Sequence, residues 1–443
     1  MNEATVDFIR AHADDNVRQL ALKGTKNPDV DLTFALDQIA GHQTARRKLP
    51  TWAATDGIVF PPHLSMEQCS SEQTARYKAR IAGVRGERIL EERGEKREDI
   101  GGERSVVRSE CMVDLTGGFG VDFSFLAPLF DEAVYVERQS ALCDIARHNF
   151  HVLGLQATIV NGDAVDYLRQ MDRANLIYID PARRDLQGQR TYGISDCTPD
   201  VVALRDLLLE KADRVIIKLS PMLDWRKAVQ DLSLSPNTPL ELRSLATNGT
   251  QEHLSPCVSE VHIVSVGNEC KELLLVLENR EERGDEGEPK VFCVNDETVF
   301  VVGKPSRNYQ GNEVVKDILK GSFLYEPNAS IMKVGCFEAV SEAFNVCPIA
   351  PNSHLFVCDR LIGAFPGRTF IIDDMTTMNK RELRTALAGI SRANITVRNF
   401  PLTVAQLRSR LKLGEGGSTY IFATTLADNR HVLLVCRKTE LPV

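Results

Sequence analysis

The sequence predicts an α/β protein: a Rossmann-like, doubly wound sheet of seven strands, preceded by a helical region and followed by an α+β region. Three observations carry this. The stretch from Met112 to Asp122, MVDLTGGFGVD, sets a short apolar run with an acid at its end against three glycines, as where a chain turns sharply from strand into helix. Apolar runs then recur at the pace of βα units: Ala133 to Glu137, Ala157 to Asp163, Asn175 to Asp180, Arg214 to Leu219, Glu260 to Val266 and Glu272 to Glu278. The last two are joined only by Gly267 to Lys271, and a parallel crossover needs about a dozen residues, so the seventh strand runs antiparallel in a hairpin.

Before the sheet, apolar residues from Thr5 to Lys48 fall at helical intervals (Val30, Leu32, Ala35, Leu36, Ile39). The basic end Arg46-Arg47-Lys48 breaks at Pro50. This region reads either as an arm covering the sheet domain or as a nucleic-acid contact. Ser70-Ser71-Glu72 begins a capped helix that carries Tyr77 and Lys78 toward the pocket. Between Arg85 and Arg108 seven basic and seven acidic residues balance, which marks a solvated face without assigned function.

After the sheet, Asn279 to Pro289 reads as a linker or exposed hairpin rich in charge and glycine. Two short strands around Asn295-Asp296 follow as a hairpin. Helical patterns (Ile331 to Phe344, Asn379 to Ile390, Val404 to Leu413) then alternate with strands (Leu355 to Cys358, Thr369 to Ile372, Ile395 to Asn399, Tyr420 to Thr425, His431 to Arg437). The domain boundaries expected are 1–105, 106–279, 280–322 and 323–443.

With 443 residues and 43% hydrophobic content the chain has ample material for folded cores. Eleven cysteines without a Cys-x-x-Cys pair read as reduced thiols, with no metal site expected. The first 25 residues lack an apolar signal core, and no apolar run approaches the ~20 residues of a membrane span, so a cytoplasmic location without a membrane partner is expected. A net charge of −8 argues against a surface coated in nucleic acid. Locally, Asn379 to Leu413 holds eight basic residues, among them Arg381, Arg384, Arg408 and Arg410, against the single acid Glu382, a stripe able to neutralise phosphates.

The strand ends supply the candidate chemistry. Asp114-x-Thr116-x-Gly118-x-Gly120 resembles the loop in which class I methyltransferases hold S-adenosylmethionine. Glu137 stands 23 residues after Asp114, where a carboxylate accepts ribose hydroxyls. Asp163-Ala164 stands where an acid faces the adenine amino group. A dinucleotide-binding loop would want a third glycine at position 123, which is Phe123.

Taken together, DLTGGFGVD, YVE, NGD, IDPARRD and KLSPMLDW resemble a bacterial family of class I S-adenosylmethionine-dependent methyltransferases with a THUMP-like C-terminal domain. KLP-x-W, SSE-x-TA-x-YKA, YEPNASIMK, NSHLF, ITVRNFPL and LRSRLKLGEGG-x-TY extend the resemblance over nearly the whole chain. It implies a helical N-terminal domain, a methyltransferase domain, a small ferredoxin-like domain near 280–322 and the THUMP-like end. It also implies S-adenosylmethionine held by Asp114, Thr116, Gly117, Gly118, Phe119, Gly120, Glu137, Arg138, Asp163, Ala164 and Asp180.

Asp180-Pro181-Ala182-Arg183 departs from the (D/N)PP(Y/F/W) motif of amino-methylating enzymes. Methyl transfer is expected at Asp180 and Pro181, with Arg183 and Arg184 gripping a phosphate or stacking on a base. Lys218 and Trp225 share that rim, and Trp225 is placed to stack on a substrate base. The expected function is methylation of a base of structured RNA, tRNA or rRNA. Two alternatives stay open: a non-catalytic RNA-binding or assembly protein with a vestigial pocket, or a methyltransferase of a protein or small molecule.

Overall fold

The computed structural model describes residues 2–83, 110–183, 193–233, 257–278, 288–303, 314–315 and 318–439. The charged segment 85–108, most of the linker and Arg184 lie outside them, as does the side chain of Arg183. The chain forms two compact units, Met1–Val261 with Glu272–Pro289, and His262–Lys271 with Lys290–Val443. Among the described residues no helix is long and apolar enough to cross a membrane.

The first unit begins with helices α1 (Glu3–Ala11), α2 (Val17–Lys23) and α3 (Leu32–Lys48). Each starts where a side-chain oxygen satisfies a free backbone N–H of the first turn: Asn2 accepts from Thr5, Asn16 from Gln19 and Asp31 from Phe34. Pro50 opens the single turn α4 (Pro50–Ala53), and α5 (His63–Gln68) follows. Ser71 caps α6 (Glu72–Ala82) by accepting from Thr74 N, as the sequence predicts.

The sheet of this unit contains β1 (Cys111–Asp114), β2 (Glu132–Glu137), β3 (Thr158–Asn161), β4 (Ala174–Ile179), β5 (Ala212–Leu219), β6 (Val258–Val266) and β7 (Glu269–Glu278). Their order is β6-β7-β5-β4-β1-β2-β3. Pairs β1–β2, β1–β4, β2–β3 and β4–β5 are parallel, while β5–β7 is antiparallel with Lys218 opposite Leu274. This is the reversed seventh strand read from the five-residue link. Helices α7 (Val121–Leu126), α8 (Ser140–Val152), α9 (Ala164–Gln170), α10 (Val201–Lys211) and α11 (Trp225–Ser233) alternate with the strands. Central strand residues such as Tyr135, Ile177, Tyr178 and Ile216 are fully buried, which explains their continuous apolar runs.

Residues of the N-terminal helices do not stand alone. Ala45, Leu49, Trp52, Phe60, Met66 and Ala75 share one core with Phe119 and Val121 of the glycine loop and α7. Trp52 meets Phe119 edge-on with ring centroids 4.9 Å apart, and Asn149 of α8 pairs with both backbone groups of Val59. Of the two readings of the arm, covering the sheet domain is the one these contacts describe.

In the second unit the tip of the β6–β7 hairpin carries a further hairpin, β8 (Lys290–Asn295) and β9 (Thr298–Val301). Asp296 N donates to Ser265 O, and the side-chain Oδ1 atoms of Asn295 and Asp296 accept from Asn268 N and Gly267 N, respectively. Asp296, with φ 52°, makes the expected turn. A seven-stranded sheet then places Cys347–Pro348, β11 (Phe356–Cys358), β10 (Phe323–Pro327), β12 (Gly367–Thr376), β15 (His431–Lys438), β14 (Gly414–Thr425) and β13 (Arg392–Arg398) side by side.

Here the sequence reading needs three corrections. The single helical pattern from Ile331 to Phe344 is two helices, α12 (Ala329–Val334) and α13 (Phe337–Phe344), because Gly335 adopts φ 75° and closes the first. Strand β10 was not anticipated, since its polar Glu326 and closing Pro327 mask an element whose neighbours are all buried. Strand β14 starts at Gly414 rather than Tyr420, with a register shift between Ala393 and Asn394 that accommodates the glycines. The remaining helices, α14 (Lys380–Ala386) and α15 (Val404–Leu411), match their patterns within a few residues, and a Thr403–Gln406 capping box opens α15.

Candidate active site

The carboxyl ends of β1, β2, β4 and β5 converge around the glycine loop, the edge of an open α/β sheet where ligands bind. Gly118 and Gly120 have φ of 56° and 85°, which only glycine adopts at little cost. The three glycines serve different ends. A Cβ on Gly117 would fall 2.1 Å from the Tyr135 ring, and one on Gly120 would fall 2.8 Å from Phe150. Packing on the protein's own aromatic residues therefore dictates those two, not close approach to a ligand. Gly118 alone faces open space, with nothing nearer to a Cβ than Thr116 O at 3.7 Å.

Glu137, 8% exposed, holds this loop: its Oε2 accepts from Gly118 N at 3.0 Å and its Oε1 from Gln139 N at 2.8 Å. Each oxygen keeps a lone pair for a further donor such as a hydroxyl. Asp163 caps α9, its Oδ1 accepting from Val165 and Asp166, and it stays exposed beside Ala164. Arg138 is exposed. Phe119, expected in the cofactor set, turns its side chain into the core with Trp52 and Phe60, so only its backbone is left to line the site.

Asp114 is fully buried and accepts from Thr116 N at 2.9 Å. Burial pushes its carboxyl well above the usual range, and the anions Asp122 and Asp180 push it further. Thr116 in turn accepts the backbone N–H of Asp180 on Oγ1 at 2.6 Å, which joins the two central loops.

Beside this hydroxyl lies a network of buried charges. Lys218 of β5 donates to Asp180 Oδ2 at 2.5 Å and stands 3.7 Å from Asp122 Oδ2. Lys78 of α6, with no exposed side-chain surface, lies 3.1 Å from Asp122 Oδ1 and 2.5 Å from Glu272 Oε2. Ser70 and Tyr178 hydroxyls each donate to Asp122 Oδ2 at 2.7 Å. Burial disfavours the charged form of Asp122, but Lys78 and Lys218 outweigh it and hold the carboxyl down at about 2. For Lys218, burial is likewise outweighed, here by Asp180, Asp122 and Glu272, so the ammonium is held charged. Burial pushes the Asp180 carboxyl up while Lys218 pulls it down; 36% of its side chain is exposed, so water tempers the rise. Removing one member of a fully buried pair such as Lys78–Glu272 costs about 3–5 kcal/mol.

Pro181 is buried behind Asp180, and Ala182–Arg183 pairs with Cys197–Thr198 as a two-residue ribbon. Trp225 begins α11, with the Arg226 guanidinium 4.4 Å from its ring centroid. The sequence reading thus brought Asp114, Thr116, the glycines, Glu137, Asp180 and Lys218 to one edge. It missed Asp122, Tyr178, Ser70 and Glu272. Asp122 and Tyr178 were visible as polar groups inside apolar runs, but nothing in the spacing shows that they meet.

In the second unit, Arg381, Arg384 and Arg410 are exposed on α14 and α15. Arg408 differs, because its Nη1 donates to Ala393 O at 3.1 Å and to Gly414 O at 2.8 Å. Arg398, another member of the stripe, is committed to buried Glu326 at 3.0 Å. The basic stripe is therefore smaller than its sequence count.

A THUMP domain-like family description matches residues 367–438, and a ferredoxin-like domain description matches 323–366. The ferredoxin-like domain thus lies downstream of the 280–322 segment, whose described residues form mainly the β8–β9 hairpin. Two Mycobacterium tuberculosis proteins, from strains CDC 1551 and H37Rv, both described as uncharacterized S-adenosylmethionine-dependent methyltransferases, are 24% identical over 302 residues, covering 68% of this chain and 73% of theirs. The crystal structure of a proposed methyltransferase from Porphyromonas gingivalis W83 superposes with a TM-score of 0.77 at 29% identity, covering 99% of this chain and 98% of that one. The chain is thus similar to S-adenosylmethionine-dependent methyltransferases, and its residues 323–438 match ferredoxin-like and THUMP-like domains.

Proposed function

We propose that the protein transfers a methyl group from S-adenosylmethionine to a base of structured RNA, with tRNA and rRNA as the substrate classes. The observation that carries the reading is the Lys218–Asp180 pair at the end of β4, one loop away from the open face of Gly118 and the Glu137 carboxylate. The residues fit the cofactor. Gly118 leaves space above its backbone, Glu137 keeps acceptors for two hydroxyls, and Asp163 offers its second carboxylate oxygen to an amino group. When bound there, the cofactor supplies a methyl group on an electrophilic sulfonium.

The chain's own residues do the rest. Asp180 Oδ accepts a hydrogen bond from, or a proton off, the group to be methylated, and Lys218 keeps that carboxylate ionised and oriented. Trp225 offers an aromatic face to the base.

RNA is favoured by the exposed arginines of α14 and α15 and by the THUMP-like description of the end of the chain. Mass spectrometry of RNA nucleosides from cells with and without the gene tests this. One methylated nucleoside should disappear with the gene and return when purified protein and cofactor are added to the deficient RNA. An identical set of nucleosides in both would direct the search to a protein or small-molecule substrate.

A further inference from the structure

We propose that the N-terminal region completes the methyl-transfer site: Lys78 of α6 is a positioning residue that neutralises Asp122 and so leaves Lys218 free to orient Asp180. Nothing in the transfer reading above uses Lys78, yet it is the most completely buried charge among the described residues of the cluster.

The geometry sets up a competition. Lys218 has two carboxylates within reach, Asp180 at 2.5 Å and Asp122 at 3.7 Å. Asp122 is the more deeply buried and has the greater need for a cation. Its charge is met from the other side, where Lys78 forms an ion pair with Oδ1 at 3.1 Å without a hydrogen bond to it, while two hydroxyls donate to Oδ2. Glu272 of β7 fixes Lys78 at 2.5 Å, and Ser70 accepts from the same ammonium at 3.1 Å. Without Lys78, the Lys218 ammonium is drawn inward and Asp180 loses its partner. The charged and titratable groups facing Asp180 from the packed elements are Lys218, Asp122, Lys78 and Asp114, with Glu272 and Tyr178 one contact further.

The proposal rests on Asp180 being the substrate-facing group, so its test reads Asp180 directly and needs no turnover. Infrared difference spectra of the full-length protein against Asp180→Asn isolate the carboxylic-acid band of Asp180 as pH is varied. Lys78→Met should raise the midpoint of its protonation by about one pH unit, a tenfold change in proton affinity. Asp122→Asn, which keeps the acceptor for Ser70 and Tyr178 while removing the competing anion, should lower the midpoint. The opposite signs mark a role exerted through charge, which a packing role would not show, and a Lys218→Met background, in which Lys78→Met should no longer move the midpoint as far, separates action through Lys218 from the direct field of Lys78. If Lys78→Met fails to fold, Asp122→Asn alone decides. An unmoved midpoint in either folded variant overturns the proposal. Loss of the nucleoside assay with both shifts intact would instead count against the RNA methylation reading.

Discussion

Thr116 Oγ1 accepts the backbone N–H of Asp180 at 2.6 Å, so the glycine loop after β1 and the candidate transfer motif after β4 are held as one piece. Thr116→Val removes the acceptor and leaves that N–H unpaired. Its stability should fall by about 1–3 kcal/mol in denaturant titration, while Thr116→Ser stays close to native. Equal losses in the two variants would show that the methyl group, not the hydroxyl, matters there.

Cofactor binding and transfer should separate by residue. Glu137→Ala should weaken S-adenosylhomocysteine binding in calorimetry by about 1.5–3 kcal/mol, the value of hydrogen bonds to a charged group. Asp180→Ala should abolish transfer with affinity nearly unchanged. Full turnover in that variant would reduce Asp180 to a strand-end charge.

Asp114 should impose a pH-dependent cost. Its carboxyl is raised by burial, so the folded state binds the proton more tightly than the unfolded chain. Stability is then highest below the ordinary carboxylate pKa of about 4 and falls as pH rises from there toward the folded value. Asp114→Asn lacks this fall. Its melting temperature relative to native should therefore climb as pH increases above about 4, and a difference independent of pH would contradict the assignment.

The glycines rank in a definite order. Gly117→Ala places a methyl 2.1 Å from the Tyr135 ring, whereas Gly118→Ala meets open space and only the cost of φ 56°. The left-handed conformation costs about 1–2 kcal/mol. Thermal unfolding should show Gly117→Ala as clearly the more damaging, and the reverse order would mean that the loop is arranged differently.

Arg381, Arg384 and Arg410, reversed to Glu, should weaken RNA binding across sequences while the melting temperature barely moves. Each lost phosphate contact lowers the slope of log affinity against log salt by about 0.7 to 0.9. Arg408→Glu should behave differently and destabilise the unit, since it breaks the bonds to Ala393 and Gly414. An unchanged slope in the triple variant would leave α14 and α15 as solvated surfaces.

The sequence by itself determined what depends on short-range periodicity. Apolar runs ending in Asp114, Glu137 and Asp180 specified parallel strands buried on both faces, and the short Gly267–Lys271 link specified the reversed last strand. Ser71 marked a helix start because capping needs only three residues of context. Only the tertiary structure decided which charges meet. Lys78 and Glu272 are 194 residues apart, and Ser70 and Glu272 are 202 apart, so no local pattern registers the pair or the hydroxyl between them. The same holds for Phe119, whose place in a glycine loop suggested ligand contact until Trp52 and Phe60 were seen to enclose it. A side chain's role depends on the partners that burial brings to it, and those partners come from elements that the chain orders only when it folds.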